Sequence, residues 1–129
     1  MNYWPAEPTN LSELHLPFIN YIWNMAENHP EWKSYAKRSG QNRGWTCYTE
    51  NNIFGGGSRF ADNYVIANAW YCSHLWQHYR YTLDKEYLKK VFPAMLSATY
   101  FWLDRLKLAK DGSYEAPNEW SPEHGPSED

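Results

Sequence analysis

Apolar residues spaced three and four apart limit what this chain can fold into more tightly than any other feature. Leu14, Phe18, Ile22 and Met25 recur at that spacing after Leu11, and Trp32, Tyr35 and Ala36 share a face after Pro30. Ala69, Cys72, Trp76 and Tyr79 form a stripe within residues 65–83, flanked by Tyr71, Leu75 and His78, and Leu96, Tyr100, Leu103 and Leu106 repeat the pattern after Pro93. A helix gathers residues i, i+3, i+4 and i+7 on one side, whereas a half-buried strand alternates with period two. No stretch alternates over a convincing length, so the spacing predicts an all-α chain.

Local signals divide this pattern into elements. Thr9 or Asn10 is placed to cap the first helix and Pro17 to bend it, while Pro30 suits the first turn of a second helix that Gly40 ends. Asp84 caps a segment over Lys85–Val91, and a further segment runs from Ala94 to Leu108 after Pro93. With the helix over 65–83 these make an antiparallel hairpin. Between the second and third helices, residues 41–63 carry Gly44, the Gly55-Gly56-Gly57 run and many Asn and Thr, the composition of a long loop with special backbone angles. Trp45, Tyr48, Phe54 and Phe60 within it argue for order. Pro117, Pro122 and Pro126 exclude a regular helix over residues 113–126, leaving an irregular polar loop.

At 129 residues a single domain is expected. The 12 Lys+Arg against 15 Asp+Glu are dispersed, without the basic run interleaved with aromatics that nucleic acid would call for. No stretch reaches the roughly 20 apolar residues of a membrane span, and the N-terminus lacks the charged-then-apolar pattern of a signal peptide. Cys47 and Cys72 are too few for a disulfide scaffold and are expected free and buried. The outlier is aromatic content, with 8 Trp, 11 Tyr and 5 Phe. Flat rings mixed with Asn, His, Glu and Arg suit a carbohydrate, whose C–H faces stack on the rings while its hydroxyls bond to polar groups; helix packing accounts for part of the same excess.

Asn2-Tyr3-Trp4-Pro5-Ala6-Glu7, followed by Thr9-Asn10-Leu11 and Glu13, resembles the signature of glycoside hydrolase family 95, the α-L-fucosidase family. Further landmarks follow in the family's order: Gly44-Trp45, Ile53-Phe54-Gly55, Ala69-Trp70, His74-Leu75-Trp76, His78-Tyr79, Asp84 to Leu88, Pro93 and Ser121-Pro122-Glu123. The resemblance implies a catalytic (α/α)6 barrel of twelve helices. At ~11 residues per helix and ~5 per connection such a barrel needs roughly 200 residues. Residues 1–129 are therefore expected to be a fragment of the catalytic barrel, a partial (α/α)6 barrel of antiparallel hairpins with long functional loops, whose apolar faces are left bare.

The resemblance also implies the chemistry: inverting exo-hydrolysis of terminal α-L-fucosyl residues from a fucosylated glycan or a plant polysaccharide side chain, by acid and base alone and without a cofactor. An inverting site needs an acid for the leaving oxygen and a base side that activates water, with carboxyl groups roughly 6.5–9.5 Å apart. Glu123 matches the acid of the serine-proline-glutamate motif, stiffened by Pro122 and Pro126. Glu119 either raises the pKa of Glu123 or contacts substrate, unless it simply faces solvent, and His124 bonds sugar or orients Glu123 in the same way. The groups that hold the family's water, two asparagines before the Asn2 motif and an aspartate well past the acid loop, fall outside this chain, so the isolated piece is expected to be inactive.

Where fucosidases of the family typically show two histidines, asparagine, threonine and aspartate, this sequence has Tyr48-Thr49-Glu50-Asn51-Asn52. That departure redirects the pocket toward a related sugar such as L-galactose, or marks a subfamily that holds fucose otherwise, with Glu50 and Asn52 as candidate hydroxyl ligands. Trp45 and Trp120 are candidates for sugar stacking, and Trp4 for stacking or packing. His74 and His78 have a metal-binding spacing without a third ligand at suitable spacing, so no metal is assigned. Family habit implies a periplasmic or secreted protein. The competing readings are a non-catalytic carbohydrate-binding helical module and an αα scaffold whose aromatics serve packing alone.

Overall fold

The computed structural model describes residues 1–57, 64–117, 119–121 and 124–126, with backbone only at 120, 121 and 124–126. Four helices dominate: α1 (Ser12–Glu27), α2 (Pro30–Arg38), α3 (Ala67–Thr82) and α4 (Lys85–Arg105). Two short antiparallel pairs follow, β1 (Lys107–Leu108) with β2 (Tyr114–Glu115), and β3 (Trp120–Ser121) with β4 (His124–Pro126). α3 and α4 form the expected hairpin, and α1 packs on both of them as well as on α2.

Several local signals act as the sequence implies. Pro30 opens α2, and Gly40 ends it with the N–H of Gln41 bonded to Ala36 O and that of Gly40 to Lys37 O, the paired bonds of a Schellman cap. The Asp84 carboxylate accepts from the N–H groups of Glu86 and Tyr87 at 2.9 and 3.0 Å, capping α4. Other signals act differently. Thr9 bonds Pro5 O and Asn10 adopts a left-handed φ of 59°, so neither caps α1, which starts after Leu11 without a side-chain cap. Pro93 does not divide α4, which runs through it for 21 residues.

The buried faces are rotated from those that hydrophobicity predicts. α1 buries His15, Ile19, Ile22, Met25 and Ala26, whereas Leu14 is exposed. α3 buries Asn68, His74, Leu75 and His78, and Trp76 is exposed. α4 buries Val91, Ala94, Ala98 and Phe101, leaving Leu96, Tyr100 and Leu103 outside. Histidines paired with a buried acid, and alanines that let helices approach, occupy the inward positions. Leu96, Tyr100, Leu103 and Phe92 on α4 and Trp76 and Tyr81 on α3 are large apolar side chains left exposed.

The loop over 41–57 passes through the core. Trp45, Thr46 and Cys47 are fully buried, and Trp45 stacks on Trp32 with ring centroids 5.1 Å apart. Its indole N–H donates to Ala94 O at 2.9 Å and Thr46 Oγ1 to Val65 O at 2.7 Å, while the loop's own backbone bonds through Thr46 N–H to Trp32 O at 3.3 Å and through Trp45 O, which accepts from Asn68 Nδ2 at 2.8 Å, so the loop is tied into the core without a ladder. Gly44 makes the passage possible: at φ 81° a Cβ there would stand 2.4 Å from Ser97 O. Both cysteines are free, Cys47 buried and Cys72 partly so. Phe60 lies outside the described residues.

Candidate functional site

The N-terminal motif folds back on itself through consecutive turns, with Leu11 N–H on Ala6 O at 2.8 Å, and sends Glu7 inward beneath α1 and α3. There Glu7 Oε1 accepts from His15 Nδ1 at 2.7 Å and from His78 Nδ1 at 2.6 Å, while Oε2 accepts from Ser12 Oγ at 2.5 Å. Burial by itself would raise the Glu7 carboxyl; the bonds from Ser12, His15 and His78 outweigh it and hold the group below the usual carboxylate range. On the far side of His15, its Nε2 lies 3.0 Å from His74 Nδ1. Burial, followed by the proximity of His15, pushes His74 down to about 4, so it is neutral near pH 7.

Glu7, His15 and His78 place three metal-ligand atoms within 4.8 Å of one another. Both histidine nitrogens nevertheless stand at hydrogen-bond distance from one oxygen, whereas atoms sharing an ion at ~2.0–2.1 Å would spread farther apart. The cluster is built as a hydrogen-bond network.

The network backs onto a cavity of about 350 Å³, within the roughly 300–1,000 Å³ of small-ligand sites. His74, Phe18, Trp70 and Tyr71 line it on the helix side, Tyr3 and Asn2 from the motif, and Tyr48 and Thr49 from the core loop. A second hollow of about 430 Å³ shares Tyr3, Phe18 and Tyr71 as a wall and continues to Tyr21, Asn52 and Ile53. Tyr3 and Phe18 stack with centroids 4.5 Å apart, and Tyr21 Oη donates to Asn52 O at 2.8 Å, so this partition is held from both sides.

The predicted site residues fall in different places. Asn52 lines the second hollow, its side-chain oxygen accepting from Phe54 N–H at 2.9 Å. Glu50 is exposed and lines neither cavity. Trp45 lies in the core on Trp32 rather than on the cavity, with no face left for a sugar. Trp4 is half-exposed and packs obliquely on Trp70, itself a cavity residue. Glu119 forms a largely buried ion pair with Arg105, which also donates to Ser39 O at 2.9 Å, tying the segment after β2 to the ends of α2 and α4. Burial raises the Glu119 carboxyl against the opposing pull of Arg105, and its Oε2 has no partner among the described residues. Trp120 and His124 lie on β3 and β4, described as backbone alone, and Glu123 lies outside the described residues.

The sequence reading missed Glu7, His15, Phe18 and Tyr71 as a constellation, and took His74 and His78 only as a spacing. The partners of that spacing come from 59 and 71 positions away in the chain, a separation no local pattern reports. The one available signal was the acid that closes the N-terminal motif.

Compared with known families, residues 1–129 match the family described as "Glycosyl hydrolase family 95 catalytic domain". The chain is 35% identical over 130 residues to the protein named "Alpha-L-fucosidase 2" of Arabidopsis thaliana, an alignment covering 96% of the chain and 15% of that protein. It is 34% identical over 138 residues to "Probable alpha-fucosidase A" of Aspergillus niger, covering 98% of the chain and 17% of that protein. The chain thus spans about a sixth of the length of these relatives.

Proposed function

This chain belongs to the glycosyl hydrolase family 95 catalytic-domain family, and on that premise we propose that the protein carrying it is an inverting, exo-acting α-L-fucosidase-like hydrolase. It removes terminal α-L-fucosyl, or related α-L-galactosyl, residues from glycans, with Glu123 protonating the leaving oxygen and water activated by groups outside residues 1–129. The piece alone, lacking those groups, is inactive. The observation that carries this reading is the aromatic cavity where the Asn2–Glu7 motif meets the Tyr48-Thr49 segment. No Lys, Arg, Asp or Glu side chain lines it among the described residues, which suits an uncharged polyol rather than an anion or a cation. Rings supply faces for sugar C–H groups, and Asn2, Thr49 and His74 supply polar edges.

The departure at Tyr48-Thr49 bears on specificity because both residues line the cavity. Tyr48 is fixed by stacking on Tyr35 at 4.1 Å and by its hydroxyl, which donates to Glu31 at 2.8 Å, so it is a rigid wall. The test is sugar release by the natural protein from matched α-L-fucosyl and α-L-galactosyl substrates. Release of at least one of the two sugars is expected, and Tyr48→His with Thr49→His shifts the preference toward fucose. No release from either, with sugar binding retained, would favour the non-catalytic binding module.

A further inference from the structure

We propose that His74 is a sugar-binding residue of the cavity, its ring fixed by His15 and Glu7 so that Nε2 hydrogen-bonds a hydroxyl of the terminal sugar. The inference rests on the glycosidase reading and names a residue of that site. Three donors hold the Glu7 carboxylate, Ser12 and His15 of α1 and His78 of α3, at 2.5, 2.7 and 2.6 Å. A carboxylate has no proton to give, so His15 must donate through Nδ1, and its Nε2, 3.0 Å from His74 Nδ1, is committed to His74. A neutral imidazole carries one N–H and one lone pair. With Nδ1 engaged, the role of His74 Nε2 is set by the relay, and that nitrogen has no partner among the described residues.

The surroundings match one ligand chemistry. Phe18 meets His74 edge-on at 5.1 Å, and Trp70 and Tyr71 line the same cavity, so a polar nitrogen with a fixed role sits among ring faces. A pyranose offers the complement: C–H groups for the rings and a hydroxyl able to donate or accept at Nε2. Glu7 and His15 act as positioning residues, since neither lines the cavity.

The test is calorimetric titration of L-fucose and L-galactose into the natural protein and its variants. His74→Phe, which keeps the ring packing, weakens the better-bound sugar about tenfold or more, and His74→Gln restores most of the affinity. His15→Leu weakens binding without touching sugar, and His15→Gln, whose amide can still bond His74, recovers it. Arg80→Ala, outward on the same helix, leaves Kd unchanged. A folded His74→Phe protein with unchanged Kd, a folded His74→Gln protein that binds no better than His74→Phe, or loss at His15→Leu without recovery by His15→Gln, would overturn the assignment. Binding of neither sugar by the unchanged protein would instead overturn the glycosidase reading beneath it.

Discussion

Replacing Glu123 by Gln in the natural protein is expected to lower kcat on an unactivated α-L-fucoside by about 10²–10⁴-fold, the usual contribution of a general acid. KM should move by less than about threefold, since the proton is needed at the transition state and adds little to ground-state binding. The acid's role also predicts a dependence on the leaving group. A 2,4-dinitrophenyl fucoside departs without protonation and should lose far less rate than a glycan substrate. Steady-state kinetics on the two substrates check both statements. Equal losses on both would place Glu123 in binding rather than proton transfer, and full activity would remove it from the mechanism. The strands that precede and follow it in the sequence, β3 and β4, pair with Ser121 opposite His124, and Arg105 holds Glu119 in an ion pair.

Glu7→Gln carries the second large effect, on stability. The carboxylate is buried with three donors aimed at it. An amide cannot accept from all three, and its NH₂ would face at least one N–H or O–H. Removing one partner of a buried charged network costs about 3–5 kcal/mol, read as a lower urea midpoint. Because the folded carboxyl titrates below its usual value, its contribution is complete above the unfolded pKa and is lost as the pH falls through the folded one. The unchanged protein should therefore lose stability on acidification toward pH 3, and Glu7→Gln should lose less over the same range. A loss under about 1 kcal/mol at pH 7 would mean that the network is dispensable.

Helix existence, hairpin pairing and the caps at Pro30, Gly40 and Asp84 were legible because each depends on residues within one turn. The inward faces were not. Hydrophobicity favoured Leu14 over His15 and Trp76 over His74 and His78, since a histidine belongs inside only when a hydrogen-bond partner meets it there, and those partners, Glu7 for His15 and His78 and His15 for His74, arrive from other parts of the chain. On α4 large apolar residues drew the reading away from Ala94 and Ala98, whose small size admits the Trp45 indole to Ala94 O. Trp45 looked like a stacking platform because loops usually run on the surface, yet this loop is bonded into the core, its Trp45 carbonyl accepting from Asn68 and its Thr46 hydroxyl donating to Val65 O. At the site, the family motifs identified the segments that meet. Their sequence could not say that Tyr3, Phe18, Trp70 and Tyr71 supply the rings.

Inverting acid–base hydrolysis at an L-sugar site is the claim on which the other proposals depend, and product stereochemistry tests it most directly. Proton NMR during the first minutes of α-L-fucoside cleavage by the natural protein should show L-fucose appearing as the β anomer, with the α anomer growing in only as mutarotation proceeds. First appearance of the α anomer, or no free sugar from either the fucoside or its L-galactoside counterpart, would contradict it.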